Sequence, residues 1–581
     1  MVPVVRFGRQ QMRYLLLGLA FVLLAGCPGE RESAKSVAAA TRGIVLVTVD
    51  GWWDPATKTD SIPAAFSGVP FRSSEGMTPC PQVRPAICSI LTGKSPVETG
   101  VRDDVVTPLP ATIPLVSQRL TESGWRTAAF IADPRVGHGS GLERGFEIFA
   151  PPKDVPLGSF RRLPKVRAPG EVVSDFATWI PSIPDDASFF AWVHLTRPMI
   201  DRPTAGSPED VSTALERLSQ LVAGSVRLKG AAFMLVGTAG RIDLDDGAAS
   251  GYFLSPEVLR VPVRVRSAAT GGAVSEARAP VSLLEVAGWI AREAGIEETS
   301  HDGSSESGPR LAWTWRGHTE FGWPVELAAQ QGSALCVLGI PSPAESCVPW
   351  TEGRPVEDVD RSACASALKQ GARSAEAPTA IPALPDDLTR ALAKLGLRAP
   401  SARTDVDPPV ARGIRERIVP SVSRARRFAD QRKAAEAERE YQKALAIDPK
   451  NFGVLIESGE TLALTGRSKQ AKARLEPALR TAPWNAEAWH WLGHVSYLEK
   501  QIDRAETQWR VSDVLEPGNH DVLYDLACAR SIAGDAGEAE AYLRRAWNAG
   551  FRDVNTIQVD SDLRNLRADP AYLRFMREVV H

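Results

Sequence analysis

Short apolar runs rich in branched residues recur through the first half of the chain, at Ile44–Val49, Thr127–Ala132, Phe189–Leu195, Ala231–Gly237 and Val261–Val265. Stretches of helical periodicity such as Thr112–Ser123 and Asp210–Leu228 separate them. Runs without polar alternation predict strands buried on both faces, and the intervening helices predict a mainly parallel sheet covered on both sides. In such sheets chemistry sits beyond the C-terminal strand ends. Those ends offer Asp50, His194 and the pair Gly237-Thr238.

From about 301 to 400 serine, glycine and proline break the pattern. Cys336 and Cys347 flank a predicted hairpin, and residues 382–400 predict one helix from near Asp386 to Gly396, followed by a linker at Pro408-Pro409. Beyond it the sequence repeats. Pro449, Pro483 and Pro517 stand 34 apart, as do Ala437, Ala471, Ala505 and Ala539, and again Gly459, Gly493 and Ala527. Small residues where paired helices cross, with a proline closing each unit, predict an all-α solenoid. Four units fit residues 418–551, and Asp569-Pro570 opens a helix in a capping segment, 552–581. Stacked pairs share one continuous core, so the array is expected to fold alone and to expose a groove along its inner helices. The eight basic residues of Arg412–Lys433, set against Glu416 and Asp430, predict a solvated helix face rather than a lipid contact.

Composition narrows the reading. The 581 residues allow several domains, and 44% hydrophobic and 24% charged residues with a net charge of −2 describe globular protein without a surplus of positive charge for nucleic acid. The 7 cysteines include no CxxC pair, so a cysteine zinc site is not indicated. Cys80 and Cys88, like Cys336 and Cys347, are candidate disulfide partners. Arg6, Arg9 and Arg13 precede an apolar run from Tyr14 to Gly26 that is too short to span a bilayer comfortably.

Three resemblances follow from particular residues. Leu24-Ala25-Gly26-Cys27 resembles the lipobox of bacterial lipoproteins, which implies a signal peptide at 1–26, lipid on Cys27, a tether at 27–42 and a place in the bacterial cell envelope. Trp489, Leu492 and Gly493, with Ala437, Tyr441 and Ala444, resemble the tetratricopeptide repeat, which implies a protein or peptide partner. VTVD (Val47–Asp50), PAICSILTG (Pro85–Gly93), TGVRDD (Thr99–Asp104), GWRTAAFIA (Gly124–Ala132), GLERGFE (Gly141–Glu147), FFAWVHL (Phe189–Leu195) and EVLRVPV (Glu257–Val263) resemble successive blocks of the sulfatase branch of the alkaline phosphatase superfamily. That resemblance implies an α/β fold: an alkaline-phosphatase-like αβα sandwich over 43–300, a small C-terminal sheet subdomain over 301–385, and a helix and linker over 386–417 leading to the solenoid. It also implies a nucleophile at a helix N-terminus and divalent metal.

Carried across residue by residue, that machinery is largely missing. The nucleophile position, two residues before the helix-opening proline, holds Val83, and the basic position two after it holds Ile87. Asp50 is the only retained metal-ligand candidate: the next positions fall near Trp53 and Pro55 with Asp54 out of step, the Asp-His-Gly block is Thr238-Ala239-Gly240, and two histidine positions fall on Ser250 and near Met199. The expectation is therefore no catalytic residue, no cofactor and a degenerate domain. Cys80, four residues before Arg84, is the alternative nucleophile, in an active sulfuric or phosphoric ester hydrolase using calcium or another divalent metal at a rearranged site. Asp243, Asp245 and Asp246 read as a solvated acidic turn rather than a calcium loop, His138 as a loop residue and His194 as a core residue. Trp52 and Trp53 fit the space left by a lost metal as well as they fit a sugar.

Overall fold

The computed structural model describes residues 43–50, 72–104, 107–152, 166–196, 204–205, 211–240, 251–266, 281–296, 308–340, 345–351, 355–373, 382–401 and 410–580. Among the described residues ten strands precede the irregular region: β1 (Gly43–Asp50), β2 (Arg72–Met77), β3 (Arg126–Ile131), β4 (Ile148–Ala150), β5 (Val166–Arg167), β6 (Phe189–Thr196), β7 (Thr204–Ala205), β8 (Ala232–Gly237), β9 (Arg260–Arg266) and β10 (Val281–Ser282). Eight of them form one sheet in the order β10-β2-β9-β8-β1-β6-β3-β4, and β5 pairs with β7. Every pairing in the large sheet is parallel except the two that β9 makes with β2 and β8.

Alternation along β1 explains the layers. Ile44 and Leu46 join a core with helices α1 (Val83–Thr92), α2 (Val116–Glu122) and α5 (Val286–Ala294) on one face. Val45, Val47 and Val49 join another with α3 (Pro169–Trp179) and α4 (Val211–Gly224) on the other. Each fully buried aliphatic side chain contributes about 1.5–3 kcal/mol relative to exposure, so this central strand is apolar on both faces from Ile44 to Val49 except for the buried Thr48. The result is the αβα sandwich that the run pattern predicts. A second, antiparallel sheet of β11 (Arg310–Thr314), β12 (Val325–Gln331), β13 (Ala334–Ile340) and β14 (Glu345–Pro349) packs on α6 (Asp358–Ala372). Cys336 and Cys347 are directly opposite on β13 and β14 and are disulfide-bonded, whereas Cys80 and Cys88 are both buried and free.

After α7 (Asp386–Lys394) come four helix pairs: α8 (Arg412–Asp430) with α9 (Ala434–Ile447), α10 (Phe452–Leu464) with α11 (Ser468–Thr481), α12 (Ala486–Leu498) with α13 (Ile502–Leu515), and α14 (His520–Ile532) with α15 (Ala536–Asn548). Ala437, Ala471, Ala505, Ala527 and Ala539 are fully buried at the crossings. A Cβ on Gly459 would stand 2.7 Å from Leu475, and one on Gly493 would stand 2.5 Å from the Trp509 indole. Pro449, Pro483 and Pro517 follow the second helix of their units.

Two further signals keep the same step and escape the reading above. Asn451, Asn485 and Asn519 cap the first helices, accepting from the backbone N–H groups of Val454 (3.2 Å), Ala488 (2.8 Å) and Val522 (3.3 Å). Asp553 does the same for a short helix, Val554–Val559, so the cap begins as the first helix of a fifth unit. Each intra-unit turn contains a left-handed residue, Arg432, Gly466, Lys500 or Gly534, with φ of +58°, +71°, +64° and +82°.

The array does not stand apart from the sandwich. Tyr252, Phe253, Phe321 and Trp323 share one apolar core with Ile418, Val422, Phe452 and Ile456 of the first two units. A Cβ on Gly453 would collide with the Glu320 carbonyl oxygen, so the backbones approach as closely as glycine permits. Part of the basic segment turns inward. Arg412 and Arg415 each lie 3.5 Å from the buried Glu326 of β12 and 5.2 Å from the Phe253 ring. Arg426 bonds Glu320 and Glu457, both at 2.7 Å, and the Tyr252 hydroxyl at 2.8 Å. For these arginines the expectation of a solvated face fails because the partner acids lie far away in sequence, while Arg417, Arg432 and Lys433 are exposed as expected. The expectation of an independent array meets the same difficulty, since its first two units complete their core with the other domain.

Candidate functional site

β1 ends at Asp50, in the middle of the sheet, where parallel strands point their C-terminal ends at one place. Asp50 is 3% exposed; its Oδ1 accepts a hydrogen bond from Thr238 on the loop after β8 (3.2 Å) and its Oδ2 lies 3.2 Å from Arg135 Nη2. Arg135 comes from the turn after β3, opened by Asp133 as N-cap and Pro134. Its guanidinium also binds Asp133 (Nη2 to Oδ2, 2.5 Å) and Asp104 (Nη1 to Oδ2, 2.8 Å). One cation thus stands among three carboxylates. Burial alone would push its pKa down, but Asp133, then Asp104 and Asp50, hold it well above the ordinary value.

Asp104 has a second role. Its Oδ1 accepts from the backbone N–H of Arg84 at 2.9 Å, so this carboxylate sits on the N-terminus of α1. Helix N-termini hold anions through unsatisfied N–H groups and the helix dipole. Here the chain supplies the anion itself. Arg84, also buried, donates from Nε to the Arg135 carbonyl oxygen at 2.7 Å, and burial pushes its guanidinium down from the ordinary value.

The same segment reaches the repeats. Glu516, at the end of the third unit, has its carboxyl pushed up to about 8, by burial first and then by the charges of Asp103 and Glu487. The loop carrying Asp103 and Asp104 therefore feels both the helix N-terminus of the sandwich and the array.

These residues do not fit a divalent metal. A hard cation needs about six oxygen ligands, several of them anionic, and the carboxylates of Asp50, Asp104 and Asp133 are already drawn around a fixed guanidinium. A second positive charge placed there would be repelled by Arg135. Among the described residues no group of three or more His, Cys, Asp or Glu side chains is placed to hold a metal ion.

The other positions singled out in the sequence fall as follows. Val83 opens α1 and is 3% exposed, and Ile87 lies one turn on, fully buried. Cys80 is fully buried and its thiol, 3.8 Å from Gln82 Oε1, is raised far above the usual range, chiefly by burial. Cys88 is likewise raised, to about 12. His194 is a core residue, its Nδ1 2.8 Å from Thr48 Oγ1 on the adjacent strand. His138 lies on an exposed loop, 5.2 Å from the Phe149 ring. Ala239 and Gly240 are buried, and a Cβ on Gly240 would meet the carbonyl oxygens of Glu257 and Arg260. Cys27, Trp52, Trp53, Asp54, Pro55, Met199, Asp243, Asp245, Asp246 and Ser250 lie outside the described residues.

Sequence reading missed Arg135, Asp133 and Asp104 as a unit. Asp133-Pro134 was the available signal, an N-cap followed by proline, but nothing local shows that the next residue points back to Asp50 across 85 positions.

Comparison with known proteins bears out the repeats. Residues 428–483 match the tetratricopeptide repeat model, so the chain carries repeats of a kind that generally mediates protein–protein interaction. A stretch of 89 residues is 33% identical to "Probable biofilm formation methyltransferase WspC" of Pseudomonas putida, over 15% of this chain and 21% of that one, so the chain spans about a fifth of that relative's length. Solved structures similar to this chain are sulfatases and other alkaline phosphatase superfamily members. They include the phosphonate monoester hydrolase of Agrobacterium radiobacter, at 12% identity over 60% of this chain and 98% of that one with a TM-score of 0.43. A 2-O GAG sulfatase has 14% identity over 57% and 90%, with a TM-score of 0.40. An alkaline phosphatase superfamily protein from Vibrio parahaemolyticus has 11% identity over 57% and 87%, with a TM-score of 0.38.

Proposed function

We propose that this chain is a lipid-anchored interaction protein of the bacterial cell envelope, in which a sulfatase-like domain has given up catalysis and the repeat array binds a partner protein or peptide. The observation that carries the catalytic half is internal substitution. Arg135 puts a guanidinium among the carboxylates where a metal would be needed, and Asp104 puts a carboxylate on the helix N-terminus where a substrate anion would bind. Val83, which stands at the nucleophile position, cannot attack an ester. Cys80 is a poor replacement, because its side chain is fully buried, 3.8 Å from Gln82 Oε1, where an ester cannot reach it. No cofactor and no nucleic-acid partner belong to this reading; the net charge of −2 supports the latter.

The test uses the full chain. Metal analysis is expected to find no stoichiometric calcium, manganese or zinc. Aryl sulfates and phosphate mono- and diesters are expected to stay intact with each metal added, and Val83→Thr is expected to stay inert because Arg135 remains. Turnover abolished by Asp50→Ala would overturn the reading. For the anchor, Cys27→Ser is expected to leave a precursor that takes up no labelled fatty acid, and normal labelling would refute it.

A further inference from the structure

We propose that the inner faces of the third and fourth units, helices α12 and α14, dock a lysine- or arginine-bearing segment of a partner protein. The inference rests on the interaction reading above and names the chemistry of the partner. It starts from what the first two units do. Their inner face is filled by the sandwich, through Arg426 set between Glu320 and Glu457 and 5.9 Å from the Phe321 ring. The arrangement is a guanidinium held by carboxylates and leaning on an aromatic face, which is favourable both as ion pair and as cation–π contact.

The 34-residue step lets the same positions be followed along the array. Two steps on, Arg426 becomes His494 and Glu457 becomes Asp525. Aromatic surface is present too: Trp491 lies 5.6 Å from His494, and the Tyr497 ring lies 6.2 Å from it on the other side. Trp491, His494 and Tyr497 are partly exposed. The third and fourth units therefore keep the carboxylate and the rings, but in place of the guanidinium stand only His490, whose imidazole burial lowers and Asp525 raises on balance, and Lys500, 5.7 Å from the Tyr497 ring, so what they lack is a second strong cation beside Asp525. His494 does not supply it, because burial, outweighing the charge of Asp525, pushes its imidazole down from the ordinary value. His490 pairs with Asp525 at 2.9 Å, yet the Asp525 side chain is still 27% exposed, and Asp521 on the same helix is 44% exposed.

Continuity gives the direction of approach, since this surface is the same inner helix layer that the sandwich already occupies two units earlier. Charge complementarity gives the occupant. A guanidinium entering between Asp525 and Trp491 would repeat the contacts of Arg426, with the partner supplying what the array lacks. Long-range attraction by the carboxylates would make association salt-sensitive.

The experiment uses the full chain and a fluorescein-labelled peptide alternating arginine and leucine, with a glutamate-leucine peptide as control. Anisotropy is expected to show binding of the arginine peptide that weakens with salt, and none of the control. Asp525→Asn and Trp491→Ala are each expected to weaken it tenfold or more with the thermal midpoint little changed. His494→Arg, which installs an internal cation, is expected to abolish peptide binding and raise the midpoint. Equal binding by all three variants, or by the control peptide, overturns this assignment. If pull-down from native envelope still recovers partners with Asp525→Asn and Trp491→Ala unaffected, the surface is wrong while the interaction reading stands. If the native chain recovers no partner at all, both fail.

Discussion

The sandwich and the repeat array treat their polar residues in opposite ways. At the end of β1 the charges are turned on one another, with Arg135 satisfied by Asp50, Asp104 and Asp133. On the inner face of the third and fourth units, rings and carboxylates remain partly exposed. Both regions keep their apolar code, so folding alone does not distinguish them. Where a site is closed by internal ion pairs its reactivity is spent on stability, and where the pairing is incomplete the surface is available to another molecule. The first two units lie between these cases: Arg426 closes the groove, with the other domain of the chain as occupant.

That contrast can be broken from either side. The largest effect is expected from Arg135→Ala, which takes the guanidinium away from the buried carboxylates of Asp50 and Asp133 and the half-buried one of Asp104. Removing one partner of a buried pair costs about 3–5 kcal/mol, and denaturant unfolding should show a loss in that range. Arg426→Ala removes the cation that Glu320 and Glu457 share at the junction. Glu320 is held down to about 2 in spite of burial, by Arg426 and Arg316. Because Arg426 is 23% exposed the loss should be smaller, about 2–3 kcal/mol, and calorimetry should resolve separate transitions for the sandwich and the array.

Gly493→Leu tests the array alone. The added side chain meets the Trp509 indole, and overpacking of this kind costs about 1–3 kcal/mol or more. Helical circular dichroism should melt earlier, while hydrogen exchange at the β1 amides of the sandwich should follow only through the shared core.

Glu516 gives the junction a pH dependence. The folded state holds its proton up to about pH 8 while the unfolded chain releases it near pH ~4.3, so the folded state binds more protons between these values and stability falls as pH rises through them. Glu516→Gln should remove that slope, raising the thermal midpoint more at about pH 9 than at about pH 5. The smallest effect belongs to Lys500→Gly. A side chain in the left-handed region carries strain that glycine avoids, so the substitution should stabilise by about 0.5–1 kcal/mol, measured by denaturant unfolding.

Much of the architecture was legible without coordinates. Unbroken apolar runs announced the central strands, because a strand covered on both faces cannot alternate. Step-34 alanines and glycines announced the helix crossings, because only small residues fit there. The placing of Val83 at the resembled nucleophile position rests equally on local register. The asparagine caps and left-handed turns were present at the same step and were overlooked, since each is a single polar residue or glycine among many.

What the sequence determined by itself is therefore whatever has a period or a fixed local register: strands, repeats, caps and the residue at each motif position. Only the tertiary structure decided the charges. Asp50 and Arg135 are 85 residues apart and Arg426 and Glu320 are 106 apart. An arginine in sequence carries no mark of the acid it will meet, because ion pairing depends on distance in space and on burial, and both are set only when strands and helices that know nothing of each other locally are packed together.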